Sequence, residues 1–141
     1  MHTVGEVRPE TEESAREVYE GVGPTAQLVV KEVAKSMRFD REEYQARVDS
    51  DVVETARDVL FAAELAVHVG TREEYDEWAA EFDGEVHETG SEQVGNVAWH
   101  VAPFAEEAVA TTFADEREAA VATLRRQAFG RIYRDVLADD E

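Results

Sequence analysis

This sequence predicts an α+β fold: N-terminal helices followed by a small, mainly antiparallel sheet in the order β-α-β-β-β-α, packed with a long C-terminal helix. Three observations carry the prediction. Apolar residues recur at helical spacing through about residue 62, alternate strictly at 65–69 and again at 96–102, and return to helical spacing from 115 to 137. The 141 residues, 43% of them hydrophobic, suit one domain spanning 1–141, with its helical part at about 10–62 and its sheet and C-terminal helix at about 63–137.

Each element has a local reason. Thr11 to Tyr19 reads as a short polar helix stopped by Gly21-Val22-Gly23, and Pro24 suits the first turn of the next helix, where its missing amide costs nothing. Leu28, Val29, Val33 and Met37 form the expected buried stripe of that helix. Asp40 with Glu43 reads as a capping box for a helix through Val48, and Asp51 with Glu54 as another for a helix through Ala62. The latter is expected to turn Val52, Thr55, Ala56, Val59, Leu60 and Ala63 inward. Leu65, Val67 and Val69 alternate with Glu64, Ala66 and His68 as a strand. Thr71 with Glu74 then opens a helix with Tyr75, Trp78, Ala79 and Phe82 on its apolar face, more in the manner of core than of a ligand platform. Residues 85–88 suit a short strand, 90–95 a hairpin loop, 96–102 a strand ended by Pro103, and 107–113 a returning strand, although Glu106-Glu107-Ala108 would also sit well in a helix. The strands at 65–69 and 85–88 have a helix between them, which allows one parallel pair. Asp115 with Glu118 suggests a third capping box for the final helix, whose face includes Val121, Leu124, Ala128, Ile132 and Val136, widened by Phe129 and Tyr133. Gly130 in its middle costs roughly 1 kcal/mol against Ala, which close packing or a bend would offset. The acidic tail from Ala138 is expected to fray.

Charge constrains the partners. Thirty-three acidic residues against fourteen basic ones give a formal charge of −19, and Lys31 and Lys35 are the two lysines. Such a chain is suited to concentrated salt, where at ~1 M the Debye length is about 3 Å and self-repulsion is screened. Phosphate backbones and anionic membranes are bound through Lys and Arg, so a nucleic-acid partner is disfavoured and no membrane partner is expected. No run approaches the ~18 apolar residues of a membrane span, and the first ten residues carry no apolar leader segment, which predicts a cytoplasmic protein. The absence of cysteine excludes disulfides, thiolate metal sites and cysteine nucleophiles.

Two constellations are candidates for chemistry. His68 and His100 each lie opposite the large apolar residues of their strands; if those apolar sets face one core, both imidazoles emerge on the other face, where His87 joins them. Two or three imidazoles with Glu64 are residue types that hold a divalent metal, making His68, His87 and His100 the metal candidates. The plainer alternative is histidines beneath a packed helix, flanked by Ala66, Ala98 and Ala102. The second constellation is the final helix, with five arginines and one acid between Arg117 and Arg134. Arg125 falls inside the apolar stripe and calls for a carboxylate partner such as Glu64, or else anchors an anion beside His68 or His100. Arg126, Arg131 and Arg134 are the candidates for a phosphate-binding basic strip. The loop 90–95 lacks the lysine of a phosphate-binding loop, and Ser91 has no base positioned by the sequence.

The Trp99-His100 strand ending at Pro103, Thr111-Thr112-Phe113, and the segment from Leu124 to Arg131 resemble small uncharacterised acidic domain proteins of halophilic archaea. The resemblance covers most of the chain and implies a salt-rich cytoplasm; it carries over no activity. With no complete catalytic set and no cofactor motif, the sequence favours a non-enzymatic protein-interaction or self-associating domain that needs no cofactor. The alternatives are a small-ligand, anion or divalent-metal site at His68, His100, Arg125 and Glu64, and a nucleic-acid role for the Arg-rich helix.

Overall fold

The computed structural model describes residues 1–138; the acidic tail beyond lies outside the described residues. A strand β1 (His2–Val4) precedes helices α1 (Glu12–Gly21), α2 (Gly23–Ser36), α3 (Arg41–Arg47) and α4 (Ser50–Ala63). Then come β2 (Val67–Thr71), α5 (Arg72–Glu81), β3 (Glu85–Thr89), β4 (Asn96–Ala102), β5 (Glu107–Phe113), α6 (Arg117–Ala128), a π-helical turn (Phe129–Tyr133) and α7 (Arg134–Ala138). The α+β class is as the sequence predicts, and residues 107–113, which the sequence leaves between strand and helix, form a strand.

The sheet has the order β1-β2-β4-β5-β3 and is covered on both faces. Its parallel pair is β3 with β5, not the first two predicted strands; β2 pairs antiparallel with β4. On one face Phe61, Val67, Val69, Ala98, Ala102 and Val109 pack with α6 and the π turn. On the other, α5 lays Tyr75, Trp78 and Phe82 over Trp99, Val97 and Val101, with Trp78 and Phe82 stacked at 4.9 Å between ring centroids.

Local capping signals hold where geometry is local. Asp40–Glu43 and Thr71–Glu74 both form reciprocal capping boxes. The box read at Asp51–Glu54 is displaced: Asp49 caps α4, accepting from the Val52 amide, and Asp51 falls in the first turn. At α6 the cap position is Glu116, with no side-chain bond, so the Asp115–Glu118 box does not form.

Two helical faces also differ from expectation. In α2 the buried residues are Ala26, Val30 and Ala34, while Leu28, Val29, Val33 and Met37 are 56, 40, 52 and 58% exposed. Two alanines let the helix axes approach closely, and the stripe that holds them took the core position. In α4, Phe61 and Ala62 are buried, and Val52 and Val59 stay 40 and 61% exposed. The final helix keeps its predicted stripe as far as Ile132, then slips: Leu137 is buried and Val136 only half-buried. A π turn holds one extra residue, which moves the stripe by one position. Gly130 lies in that turn, exposed, and a Cβ there would meet nothing nearer than the Arg134 guanidinium at 3.9 Å. Close packing is therefore not its reason.

The N-terminal strand is held by contacts distant in sequence. His2, Thr3 and Val4 pair with Val69, His68 and Val67. Arg125 donates from Nε to the Leu65 carbonyl (3.0 Å) and from Nη2 to the Val4 carbonyl (3.4 Å). Gly5, at φ +91°, passes between them; a Cβ there would lie 2.5 Å from the Leu65 oxygen and 2.6 Å from Arg125 Nη2. The partners of Arg125 are therefore carbonyls rather than the expected carboxylate. Replacing Arg125 with Ala should cost about 1–3 kcal/mol by leaving these carbonyls poorly satisfied. Amide exchange should accelerate at residues 2–7 and stay unchanged in β4 and β5; unaltered protection of β1 would refute the clasp.

Candidate functional site

The register decides what the histidines can do. His68 pairs directly with Trp99, so it lies on the α5 face, its ring 5.6 Å from the indole. His100 points to the α6 face. The two rings are on opposite sides of the sheet, and the expectation that both emerge on one face fails. His68 Nδ1 is 2.8 Å from the Thr3 hydroxyl. Burial first, then the nearby Arg8 charge, lowers its pKa.

His100 is fully buried with both nitrogens engaged. Nδ1 donates to the Ala66 carbonyl at 2.7 Å, which leaves Nε2 of the neutral ring to accept from the Tyr133 hydroxyl at 2.7 Å. Burial pushes the His100 pKa down to about 4 and raises that of Tyr133 above its usual value. No lone pair or proton of this imidazole is left for a substrate, and it serves to fasten the π turn to the sheet.

His87 does share the α6 face with His100, but Val109 of β5 pairs with both and stands between them. Its Nε2 lies 2.9 Å from Glu107 Oε1 and 3.5 Å from Glu85 Oε1, and its Nδ1 accepts from Arg131 Nη1 at 3.2 Å. Glu85 and Glu107 were not singled out by sequence; the signal that finds them is the parallel β3–β5 register, which pairs them directly.

Glu64 caps the C-terminus of α4, and its carbonyl accepts the Glu6 and Val7 amides at 3.1 and 2.8 Å. Its side chain is exposed but near enough to Arg125 to offset in part the lowering of the arginine pKa by burial. Glu64 and Arg125 are thus neighbours in the clasp of the N-terminal strand. Arg126, Arg131 and Arg134 are exposed, yet Arg131 is bonded to His87, Arg126 lies 3.4 Å from the Thr123 hydroxyl, and Arg134 sits over the Phe129 ring.

An open groove of about 1230 Å³ lies between α1, α2, α4 and α7. Part of its polar wall is closed on itself. Tyr19 donates to Asp58 at 2.6 Å, and Arg57 donates to the Tyr19 carbonyl at 2.8 Å with its guanidinium 4.2 Å above the Tyr19 ring. Burial and then Asp58 raise the Tyr19 pKa, so the phenol stays protonated. Nucleophile, base and orienter do not converge there, nor at the histidines.

Fold and sites together define a mixed α+β protein whose sheet is covered on both faces and whose buried histidine, His100, is saturated by its two partners. Residues 6–134 match the family of unknown function DUF5809, and the chain belongs to that family. No curated protein and no solved structure matches it. No helix among the described residues is long and apolar enough to cross a membrane.

The depressed pKa of His100 sets a pH dependence. Above pH 6.5 the ring is neutral in both folded and unfolded chains, and stability is complete. As pH falls from 6.5 towards 4, only the unfolded chain takes up the proton, so stability drops; below 4 this contribution stops growing. His68, shifted in the same direction, adds to the loss. Denaturant unfolding should show about 2 kcal/mol lost to His100 between pH 7.5 and 5. A His100→Asn variant should have a shallower slope in that window, and an equal slope would dismiss this origin.

Proposed function

We propose that this chain is a non-enzymatic domain that works by self-association in a salt-rich cytoplasm, pairing with a second copy through the outer face of α2 and α4. The observation that carries this reading is two rows of exposed aliphatic side chains on a highly charged chain. On α2, Val29, Val33 and Met37 recur every four residues; on α4, Val52, Ala56, Val59 and Ala63 recur every three or four. At about 100° per residue, both rows point away from the large groove, whose walls use Gln27, Leu28 and Lys31 of α2 and Glu54, Arg57 and Asp58 of α4. Because α2 packs chiefly on α4, the two rows border one seam.

The choice of a second copy rests on charge and area. A chain of net charge −19 repels its own copies wherever its carboxylates meet, and the residues of these two rows carry none. A two-fold pairing presents the same patch from both sides and buries on the order of 1,000 Å², the lower bound for a specific interface. Concentrated salt screens the residual repulsion and strengthens apolar contact, so association should tighten as salt rises.

Light scattering on the protein in molar KCl should give twice the 15.8 kDa chain mass. A Val33→Asp or Val59→Asp variant should give the monomer mass while retaining its circular dichroism, since substituting an exposed residue costs within about 0.5 kcal/mol. A wild-type monomer at high protein concentration, or variants that remain paired, would remove the proposal.

A further inference from the structure

The mixed donor set at one end of the β3–β5 pair has metal-like geometry. Gly84 makes it: a Cβ there would run into the Glu106 carbonyl, and its absence lets the chain enter β3 tight against β5. Glu106 adopts a left-handed conformation (φ +53°), and its carbonyl accepts the Glu85 amide at 2.8 Å. Glu85 is thereby set opposite Glu107, and His87 follows two residues on, projecting to the same face. One imidazole nitrogen and two carboxylate oxygens then lie within 4.8 Å of one another.

The spacing is informative. Four bonds of about 2.0 Å in a tetrahedron separate the ligand atoms by roughly 3.3 Å. The distances from His87 Nε2 to Glu107 and Glu85 are 2.9 and 3.5 Å, on either side of that value. We propose that Glu85, His87 and Glu107 form a site for a first-row divalent cation of the zinc type, with solvent as the fourth ligand.

Arg131 opposes the ion in a defined way. A guanidinium can only donate, so in this arrangement His87 Nδ1 accepts from Arg131 and the ring proton sits on Nε2, directed at Glu107. To bind a metal, Nε2 must present its lone pair. The ring proton moves to Nδ1, and the exposed Arg131 side chain swings away. The exchange conserves protons on a neutral ring. Metal binding is thus coupled to release of the contact between the π turn and β3.

Isothermal titration of the full chain with Zn²⁺ in molar potassium nitrate tests the site, because high salt suppresses diffuse cation binding by surface carboxylates. The expected result is saturation at one equivalent, with His87→Ala and Glu107→Gln each weakening binding at least about tenfold. Co²⁺ should give the strong visible absorption of a tetrahedral ion, lost in both variants. Arg131→Ala should tighten binding several-fold, whereas Arg126→Ala, which removes the same charge from the same helical region, should not. Absence of saturable binding, binding indifferent to His87 and Glu107, or equal effects of the two arginine variants would overturn the proposal.

Discussion

Strand β4 is buried on both faces, and that single constraint organises the molecule. Alternation sends Val97, Trp99 and Val101 into the aromatic layer beneath α5 and Ala98, His100 and Ala102 into the layer beneath α6. The small alanines admit Leu124 and Ala128 of α6 close to the sheet. His100 is the ionisable member of a strand buried from Val97 to Ala102, and leaving one of its nitrogens unsatisfied would cost about 1–3 kcal/mol. The fold therefore has to deliver one acceptor and one donor to the same ring. The Ala66 carbonyl arrives at the entrance to β2, and the Tyr133 hydroxyl arrives from the π turn. Both are geometric demands on segments distant in sequence.

That demand explains which features were legible. Helix starts at Asp40 and Thr71 are set by residues three apart, and they stand where the sequence places them. The same signal failed at Asp51 and Asp115 because acids are abundant in this chain, so an acid-x-x-Glu spacing arises by composition alone. Alternation fixed the two faces within β2 and within β4. It did not say which face of one strand aligns with which face of the other. With both sides of the sheet covered, Leu65, Val67 and Val69 mark one layer while Val97, Trp99 and Val101 mark the other, and the histidines part company accordingly. Strand β1 was invisible for a related reason: three exposed residues carry no periodicity, and their place is made by β2, Gly5 and Arg125.

The helical faces show a different ambiguity. In α2, exposed aliphatic residues and a stripe holding two alanines run side by side with the same period. A wheel ranks the larger residues as core, because each buries more area. Close packing of two helices reverses the ranking, since Ala26 and Ala34 permit an approach that Val29 and Val33 would block. The residues displaced from the core become surface, and in a chain this acidic a neutral apolar surface is conspicuous. The proposed self-association would use the surface that this packing choice leaves exposed.

The π turn joins these threads. It lies where the final helix must meet two sheet positions on one face: His100 in β4 and His87 in β3, separated by Val109. A regular helix repeats at 3.6 residues, and the wider turn changes the angle between successive side chains. Tyr133 is aimed at His100 and Arg131 at His87 from within five residues. The first contact is buried and completes a saturated pair. The second is exposed and ends on a ring whose other nitrogen faces two carboxylates. One turn of helix therefore holds a permanent fastening and a releasable one side by side. Burial separates the two: a buried donor cannot leave without stranding its partner, whereas water can replace an exposed guanidinium.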